Sequence, residues 1–195
     1  MTSIDSVSFA REGYEYQGEE TPGRVRIWLT PGGDALELYY FPAPPDLPRN
    51  AVSIDDFRAF YDEVLSGSNA KILEAALTTI DECRVYQMIV SVPQQPTGAV
   101  YVASVTVPRR DFSFVLKIQA AEFGATGQKE AVLLDRHLAT HPEGGADAPD
   151  YDAVGNDAEF PHHPVARVRR TLRDIAQSLS IDAETKSAAP FPLPD

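Results

Sequence analysis

Histidine is the residue type in this sequence best suited to binding a metal ion, and its four copies fall in two pairs. His137 and His141 are four residues apart, so they share one face of a helix, as zinc ligands often do. The adjacent His162 and His163 could complete a site if the chain between the pairs folds back. His141, however, directly precedes Pro142, where the predicted helix ends. His137 and His141 are therefore weak metal candidates, and the sequence predicts no bound metal or cofactor.

Acidic residues crowd the segment 143–163, which contains no Lys or Arg. Asp150 and Asp152 are spaced like the first two ligands of a calcium-binding loop. Val154 and Pro161 stand where that loop needs further oxygen ligands, so the match fails. We expect a long acidic surface loop that holds no specific ion.

The single cysteine and a pair of glycines are the remaining candidates for chemistry. Cys83 follows Asp81 and Glu82, whose negative charges raise a thiol pKa, whereas a nucleophilic cysteine needs a lowered one. Gly124 and Gly127 precede a predicted helix, but the spacing of a phosphate-binding or dinucleotide-binding loop is absent. The sequence thus contains no catalytic constellation and predicts a protein that is not an enzyme.

The composition indicates which classes of partner to expect and in which compartment the protein is located. The chain has 195 residues, a formal net charge of -12 and 43% hydrophobic residues, which is enough apolar material for a sizeable core. A surface this acidic repels phosphate backbones and anionic lipid, so we expect no nucleic-acid or membrane partner. One cysteine allows no disulfide within the chain, and the N-terminal residues lack the pattern of a signal peptide. The expected location is the cytoplasm.

Alternation of apolar and polar residues is clearest over 112–119, which is typical of a half-buried strand. Further strands are predicted at 24–30, 35–41, 71–79, 84–92 and 99–107. Helices are predicted at 53–66, 128–140 and 164–179. The first begins with a capping box of Ser53 and Asp56, the second carries the apolar stripe Ala131, Leu134 and Leu138, and the third has a row of arginines on its outer surface. The adjacent central strands are joined by short loops, so they must be antiparallel. The predicted fold class is α+β, with an antiparallel sheet of about six strands covered by two or three helices.

One domain is expected to include residues 1–181, with the acidic loop 143–163 inserted near its end. Residues 182–195 contain several prolines and no periodicity, so we expect a C-terminal tail that is extended over the surface or disordered.

Aromatic residues on both sides of the first hairpin indicate a binding surface. Trp28, Tyr39 and Phe41 lie on the two strands that flank the predicted turn at Gly32 and Gly33. A hairpin with aromatic residues on both faces can leave an apolar patch exposed, and such patches mark interaction sites. We therefore predict an interaction surface that contains Trp28, Tyr39 and Phe41.

The order of these elements from Arg24 to Ser180 resembles the Mog1/PsbP-like fold, including the DcrB-type bacterial proteins. The shared pattern is a hairpin, a helix after a Pro-rich loop, a meander of strands, and a helix after the strand FSFVLKIQ. The resemblance implies an α/β/α sandwich on an antiparallel sheet, in proteins that are mostly non-enzymatic and act through protein contacts. The long acidic loop departs from that group, as does the absence of a recognisable signal or lipoprotein segment.

Two functions remain open on this basis, beside a metal-dependent enzyme as a third. The first is a non-catalytic protein-interaction module, such as an adaptor, a chaperone or an immunity-type protein, whose partner is another protein. The alternative is a small-molecule-binding or hydrolytic domain with a pocket between sheet and helix, lined by His137 and carboxylates. The oligomeric state does not follow from the sequence.

Overall fold

The computed structural model describes residues 2–124, 126–141 and 147–193. The strands, in chain order, are β1 (Val7–Ser8), β2 (Glu15–Thr21), β3 (Val25–Leu29), β4 (Ala35–Phe41), β5 (Lys71–Ile80), β6 (Cys83–Pro93), β7 (Ala99–Pro108), β8 (Ser113–Ala121) and β9 (Ser180–Ile181). The helices are α1 (Ile54–Leu65), α2 (Gln128–Thr140), α3 (Pro164–Ser178) and α4 (Ala183–Ser187). Short 3-10 turns cover Ile4–Ser6 and Val154–Asn156.

Seven strands form one antiparallel sheet in the order β2-β3-β4-β8-β7-β6-β5, and β1 pairs with β9 in a separate small sheet. The predicted α+β class and antiparallel sheet are confirmed. The sheet gains one strand over the prediction, because the polar segment Glu15–Thr21 pairs along β3 as an edge strand. The ambiguous segment around 71–79 is a strand, as predicted.

The main core lies between one face of the sheet and α3. Val165, Val168 and Ile175 repeat at helical spacing on α3 and are almost fully buried. They pack on inward residues of the central strands, such as Leu116 and Ile118, in a single apolar cluster. Each such aliphatic side chain stabilises the fold by roughly 1.5–3 kcal/mol relative to exposure. Helix α3 therefore covers the central strands on this face.

The opposite face is covered only in part, by α1. Ser53 and Asp56 form the predicted capping box that begins this helix. Phe57 is 0% exposed and lies 4.9 Å, ring centroid to ring centroid, from Tyr86 of β6. The helix covers the β5–β6 side of the sheet. The face of β4 and β8 is left without a covering helix among the described residues.

Helix α2 differs from its prediction. The stripe Ala131, Leu134 and Leu138 was expected to face the core, but Leu134 is 39% and Leu138 55% exposed. The residue that α2 buries is Lys129, in its first turn. Periodicity correctly predicted the helix but gave the wrong face, because the inward face of α2 is polar.

The C-terminal segment after Ile181 also differs from the extended or disordered tail predicted for residues 182–195. It forms α4, and beyond this helix Phe191 is buried in the second apolar cluster with Phe57 and Tyr86. Lys186 binds Asp81 of the β5–β6 turn at 2.7 Å, which holds α4 against the sheet. Residues 194–195 lie outside the described residues. Within the described part of the chain, no helix has the length and hydropathy needed to span a bilayer.

Candidate functional site

A polar cleft of about 760 Å³ lies at one end of the sheet, where the β3–β4 turn, the end of β8 and the first residues of α2 and α3 come together. This volume falls within the range typical of small-molecule sites. Titratable side chains line it, among them Asp34, Glu122, Lys129, His163 and Arg167. The cleft is thus the place where the fold brings its polar chemistry together.

Lys129 is the buried centre of this cluster, with its side chain 2% exposed. Its Nζ lies 3.1 Å from Asp152 Oδ1, 3.5 Å from Glu130 Oε1 and 3.3 Å from His163 Nδ1. The ammonium also lies over the Tyr101 ring, 5.9 Å from its centroid. Asp152 and His163 lie within hydrogen-bonding distance of the ammonium, and Glu130 adds a longer ion pair. The ammonium of Lys129 is therefore held by groups of its own chain.

The contacts of His163 fix its tautomer. Lys129 and the backbone N–H of Val165 can only donate, so Nδ1 accepts from both. The hydrogen of the neutral ring is then on Nε2, which donates to Glu122 Oε1 at 3.2 Å. Burial, and next the charge of Lys129, lower the pKa of His163 to about 4. The ring is neutral at physiological pH and links β8 to the start of α3.

The acidic segment before α3 is attached to the rest of the fold by hydrogen bonds and an ion pair from buried side chains. Asp152 accepts hydrogen bonds from Lys129 and from Tyr101 Oη, and Asp157 pairs with Arg169 at 2.7 Å. The row of arginines on α3 was expected to face solvent. Arg169 is instead 4% exposed and also reaches Glu74 of β5. Burial is possible because carboxylates satisfy its guanidinium, so this part of the acidic loop is an internal partner of α3.

The group of described residues most suited to a cation is Glu122, Glu130 and His163, whose ligand atoms lie within 4.8 Å of one another. Glu130 Oε2 is buried and has no hydrogen-bond partner within the part of the chain that the structure describes. The chemistry nevertheless does not fit a metal ion. His163 Nε2 carries a hydrogen toward Glu122, and the ammonium of Lys129 already supplies the positive charge.

The sequence candidates His137 and His141 lie outside that group. Their rings stack with centroids 4.6 Å apart, and His141 Nδ1 is 3.1 Å from the carbonyl oxygen of His137. His162 is exposed on the rim of the cleft, so the two histidine pairs do not converge on one point. Glu143 of the acidic segment lies outside the described residues.

Arg167 and Asp34 form the other side of the cleft. The guanidinium donates twice to the carboxylate, with Nε–Oδ2 and Nη2–Oδ1 both at 2.8 Å. This bidentate pair, 133 residues apart in sequence, joins α3 to the β3–β4 turn. The hydrogen bond and charge of Asp34 raise the pKa of Arg167, although burial opposes the shift. Both groups are committed to each other and therefore have a positioning role in the fold.

A second concave site lies on the partly open face of the sheet. It is a groove of about 330 Å³ between the Pro-rich loop and α1. Its lining comprises Phe41, Ala43, Pro44, Pro45, Asp46, Leu47, Tyr61, Ser104, Thr106, Ser113 and Val115. The floor of the groove is low because β7 and β8 present small side chains on this face. The Pro-rich loop, Phe41 and Tyr61 are bulkier and form its sides.

Two aromatic residues, each stacked on a neighbouring ring, form the walls of this groove. Phe41 is 44% exposed and stacks on Tyr39, with centroids 5.8 Å apart and planes within 2°. Tyr61 of α1 stacks on the buried Tyr86 at 5.6 Å. Burial, together with the charge of Asp46, raises the pKa of Tyr61 to about 12. The walls are thus pre-ordered, which lowers the conformational entropy lost when a partner binds.

Trp28 does not belong to this surface, and its prediction as an interaction residue is wrong. It is 3% exposed and lies against Phe9 in the main core, with ring centroids 5.7 Å apart. Trp28 pairs with Leu36 in register, whereas Tyr39 pairs with Val25. Trp28 and Tyr39 therefore point to opposite faces of the sheet. The structure exposes Phe41 and places the half-buried Tyr39 beside it.

The surroundings of Cys83 indicate a structural residue, as its acidic neighbours in sequence also do. It is 2% exposed, and its Sγ accepts a hydrogen bond from Arg109 Nη2 at 2.6 Å. Burial raises the thiol pKa more than Arg109 lowers it. The buried, protonated thiol is unsuited to nucleophilic chemistry.

Comparison with known proteins yields fold neighbours only. No protein-family model matches the chain, and no curated protein matches it. The PsbP protein (CyanoP) of Synechocystis sp. PCC 6803 is similar in structure with a TM-score of 0.42 and 12% identity, over 71% of this chain and 85% of that chain. PA94, a protein of unknown function from Pseudomonas aeruginosa, has a TM-score of 0.35 and 9% identity over 76% of this chain and 86% of its own.

LpqN, which is involved in cell envelope biogenesis of Mycobacterium tuberculosis, has a TM-score of 0.30 and 12% identity over 73% of this chain and 83% of its own. The PsbP structure among these neighbours agrees with the resemblance to the Mog1/PsbP-like group. Similarities this distant carry no argument about the function or the sites of this chain.

Proposed function

We propose that this protein is a non-catalytic protein-interaction module whose groove beside Phe41 binds an apolar segment of a partner protein. The observation that carries the proposal is the groove itself, which has a mainly apolar lining and two pre-ordered aromatic walls. Such grooves commonly receive extended or Pro-rich segments, which lose little entropy on binding. An adaptor, a chaperone or an immunity-type protein would use the surface in the same way.

The acidic charge in and around the groove indicates that the partner segment carries a basic residue. Among the described residues, Asp46 is the only charged one that lines the groove. Lys117, the basic residue on the neighbouring part of this face, is already paired with Glu37 at 3.4 Å. A Lys or Arg beside the apolar residues of the partner would therefore meet an acidic side chain. The overall charge of -12 favours the approach of such a basic segment.

The absence of catalysis is part of the proposal. In the part of the chain that the structure describes, the side chains of the Lys129 cluster bind one another, although Glu130 Oε2 has no hydrogen-bond partner. The cytoplasm is the proposed compartment, supported by a single cysteine, Cys83, that is buried.

Selection from a random peptide library tests the proposed groove. We expect the wild type to enrich apolar peptides that carry Lys or Arg. Phe41→Ala removes one wall and Asp46→Lys reverses the charge, so either change should weaken binding of the selected peptides about tenfold or more. Phe123→Ala is the matched control, because Phe123 is also exposed but lines the cleft. Peptides that bind Phe41→Ala as tightly as the wild type would overturn the proposal.

A second candidate function, small-molecule binding, is favoured by the volume of the cleft. Thr171 lines it from α3 and is half-buried. If the cleft is the functional site, a compound found by ligand-observed NMR should lose binding to Thr171→Trp, which fills the cleft, and keep binding to Phe41→Ala. The reverse pattern would place that compound in the groove.

A further inference from the structure

The two edges of the main sheet differ in how they are protected. At one edge, β2 contains Glu15, Glu19 and Glu20 within seven residues and has two register shifts against β3. Charges and bulges are common means by which proteins prevent an edge strand from pairing with another chain. The β2 edge is therefore blocked.

The β5 edge has little such protection. This strand is ten residues long and contains no proline. Its bulge lies near the N-terminal end, between Ile72 and Glu74, and the stretch from Ala75 to Ile80 has no charge. Glu74 is held by the buried Arg169 of α3 at 2.5 Å. Among the described residues, β5 pairs with β6 only, so one row of its backbone N–H and C=O groups has no strand partner.

We propose that β5 is a dimerisation edge, at which a second copy of this chain adds its own β5 in antiparallel orientation. Antiparallel pairing about a twofold axis perpendicular to the sheet joins the two main sheets into one. It supplies the missing backbone hydrogen bonds of both edges at once.

Charge at the two ends of β5 favours a second copy. Lys71 is exposed at its start. Glu82, in the turn just after its end, has a side chain that is 83% exposed and lies 3.8 Å from Lys186 of its own chain. Antiparallel pairing brings the start of one strand beside the end of the other. Lys71 then lies near Glu82 of the partner subunit, and symmetry makes this contact twice. The neutral stretch between them places no like charges opposite each other.

The position of α1 is consistent with the same axis. This helix packs against β5 on one face of the sheet, and a twofold axis perpendicular to the sheet keeps both copies of α1 on that face. Val64 of α1 is 60% exposed in the single chain. The dimer thus brings two partly apolar helices to the same side of the new strand pair.

Sedimentation velocity over a wide range of protein concentrations tests the proposal. We expect a reversible species with twice the 21.3 kDa mass of one chain. Ala76→Lys places two like charges near each other at the paired edges and should raise the dimer dissociation constant about tenfold or more. Thr21→Lys, on the exposed edge strand β2, is the matched control and should leave the constant unchanged. Circular dichroism should show both variants folded.

A charge exchange identifies the strand that pairs. Lys71→Glu and Glu82→Lys should each weaken the dimer, and the double variant should restore it, because the two charges meet across the axis. A protein that is monomeric at every concentration would overturn the proposal. So would a dimer that is insensitive to Ala76→Lys, since its interface would lie elsewhere.

Discussion

Lys129 is the residue on which the polar end of the molecule depends. Its ammonium is removed from water and is stabilised by Asp152, Glu130 and the ring of His163. Breaking a buried ion pair by removing one partner costs more than the pair itself contributes, because the remaining charge has no water. Stability at this end of the protein thus depends on a complete set of partners.

Replacement of this lysine should be strongly destabilising. Lys129→Met keeps most of the volume but leaves Asp152 and Glu130 without their cation, so we expect a loss of about 3–5 kcal/mol in unfolding free energy, measured by urea denaturation. Arg136→Met, on the same helix, removes an exposed ion pair with Glu159 and should have a much smaller effect. Equal effects of the two changes would contradict the central position of Lys129.

His163 gives the stability a distinct pH dependence. Its pKa falls from 6.5 to about 4 on folding, so between these values the unfolded chain binds the proton more tightly. The contribution of the neutral ring is complete above about pH 6.5 and is lost as the pH falls toward 4. Carboxylates with lowered pKa values, such as that of Asp81, lose their contribution below this range.

Urea denaturation between pH 7.5 and 4.5 measures this dependence. The wild type should become less stable as the pH falls, and His163→Gln should show a flatter profile. His162→Gln changes an exposed neighbour and should keep the wild-type slope. If His163→Gln retained that slope, the buried ring would not be the titrating group.

At the scale of elements, α1 contributes both to the second apolar cluster and to the groove. Phe57 anchors the helix on Tyr86, and Tyr61, one turn later, forms a groove wall. Phe57→Ala should cost about 3–5 kcal/mol, as expected for a fully buried phenylalanine, with the loss measured by urea denaturation. Phe60→Ala, at a half-buried position, should cost less. A variant Phe57→Ala as stable as the wild type would show that α1 is not anchored there.

Local sequence signals predicted most of these elements. The capping box at Ser53 and Asp56 begins α1 as expected. The central strands follow the alternation of apolar and polar residues, and β6 and β7 end at prolines. Periodicity reports that one face of an element is apolar but not what covers it. For that reason the stripe of α2 and the side of Trp28 were predicted wrongly, since the placement of both depends on distant parts of the chain.

The polar cluster had no local signal that could predict it. Lys129, Asp152 and His163 come from α2, the acidic segment and the residue before α3, and only the fold brings them together. The groove was predictable in part. Tyr39 and Phe41 were named from their alternation, whereas Asp46 and Tyr61 enter because the proline loop and α1 fold over the same face.

At the scale of the whole molecule, the two faces of the sheet have different roles. One packs against α3 and carries the main core, with the polar cluster around Lys129 at its end. The other is covered by α1 on one side and carries the groove on the other. From this division we expect partners to bind at the groove, while the cleft mainly holds the fold together.

Nuclear magnetic resonance on the isotope-labelled protein, titrated with a peptide selected by the wild type, tests where partners bind. We expect the largest chemical-shift changes at Phe41, Asp46, Ser104 and Val115, with little change at Phe123 and His163. Shifts concentrated at Phe123, Gln128 and His163 would contradict this expectation, because they would place the binding site in the cleft.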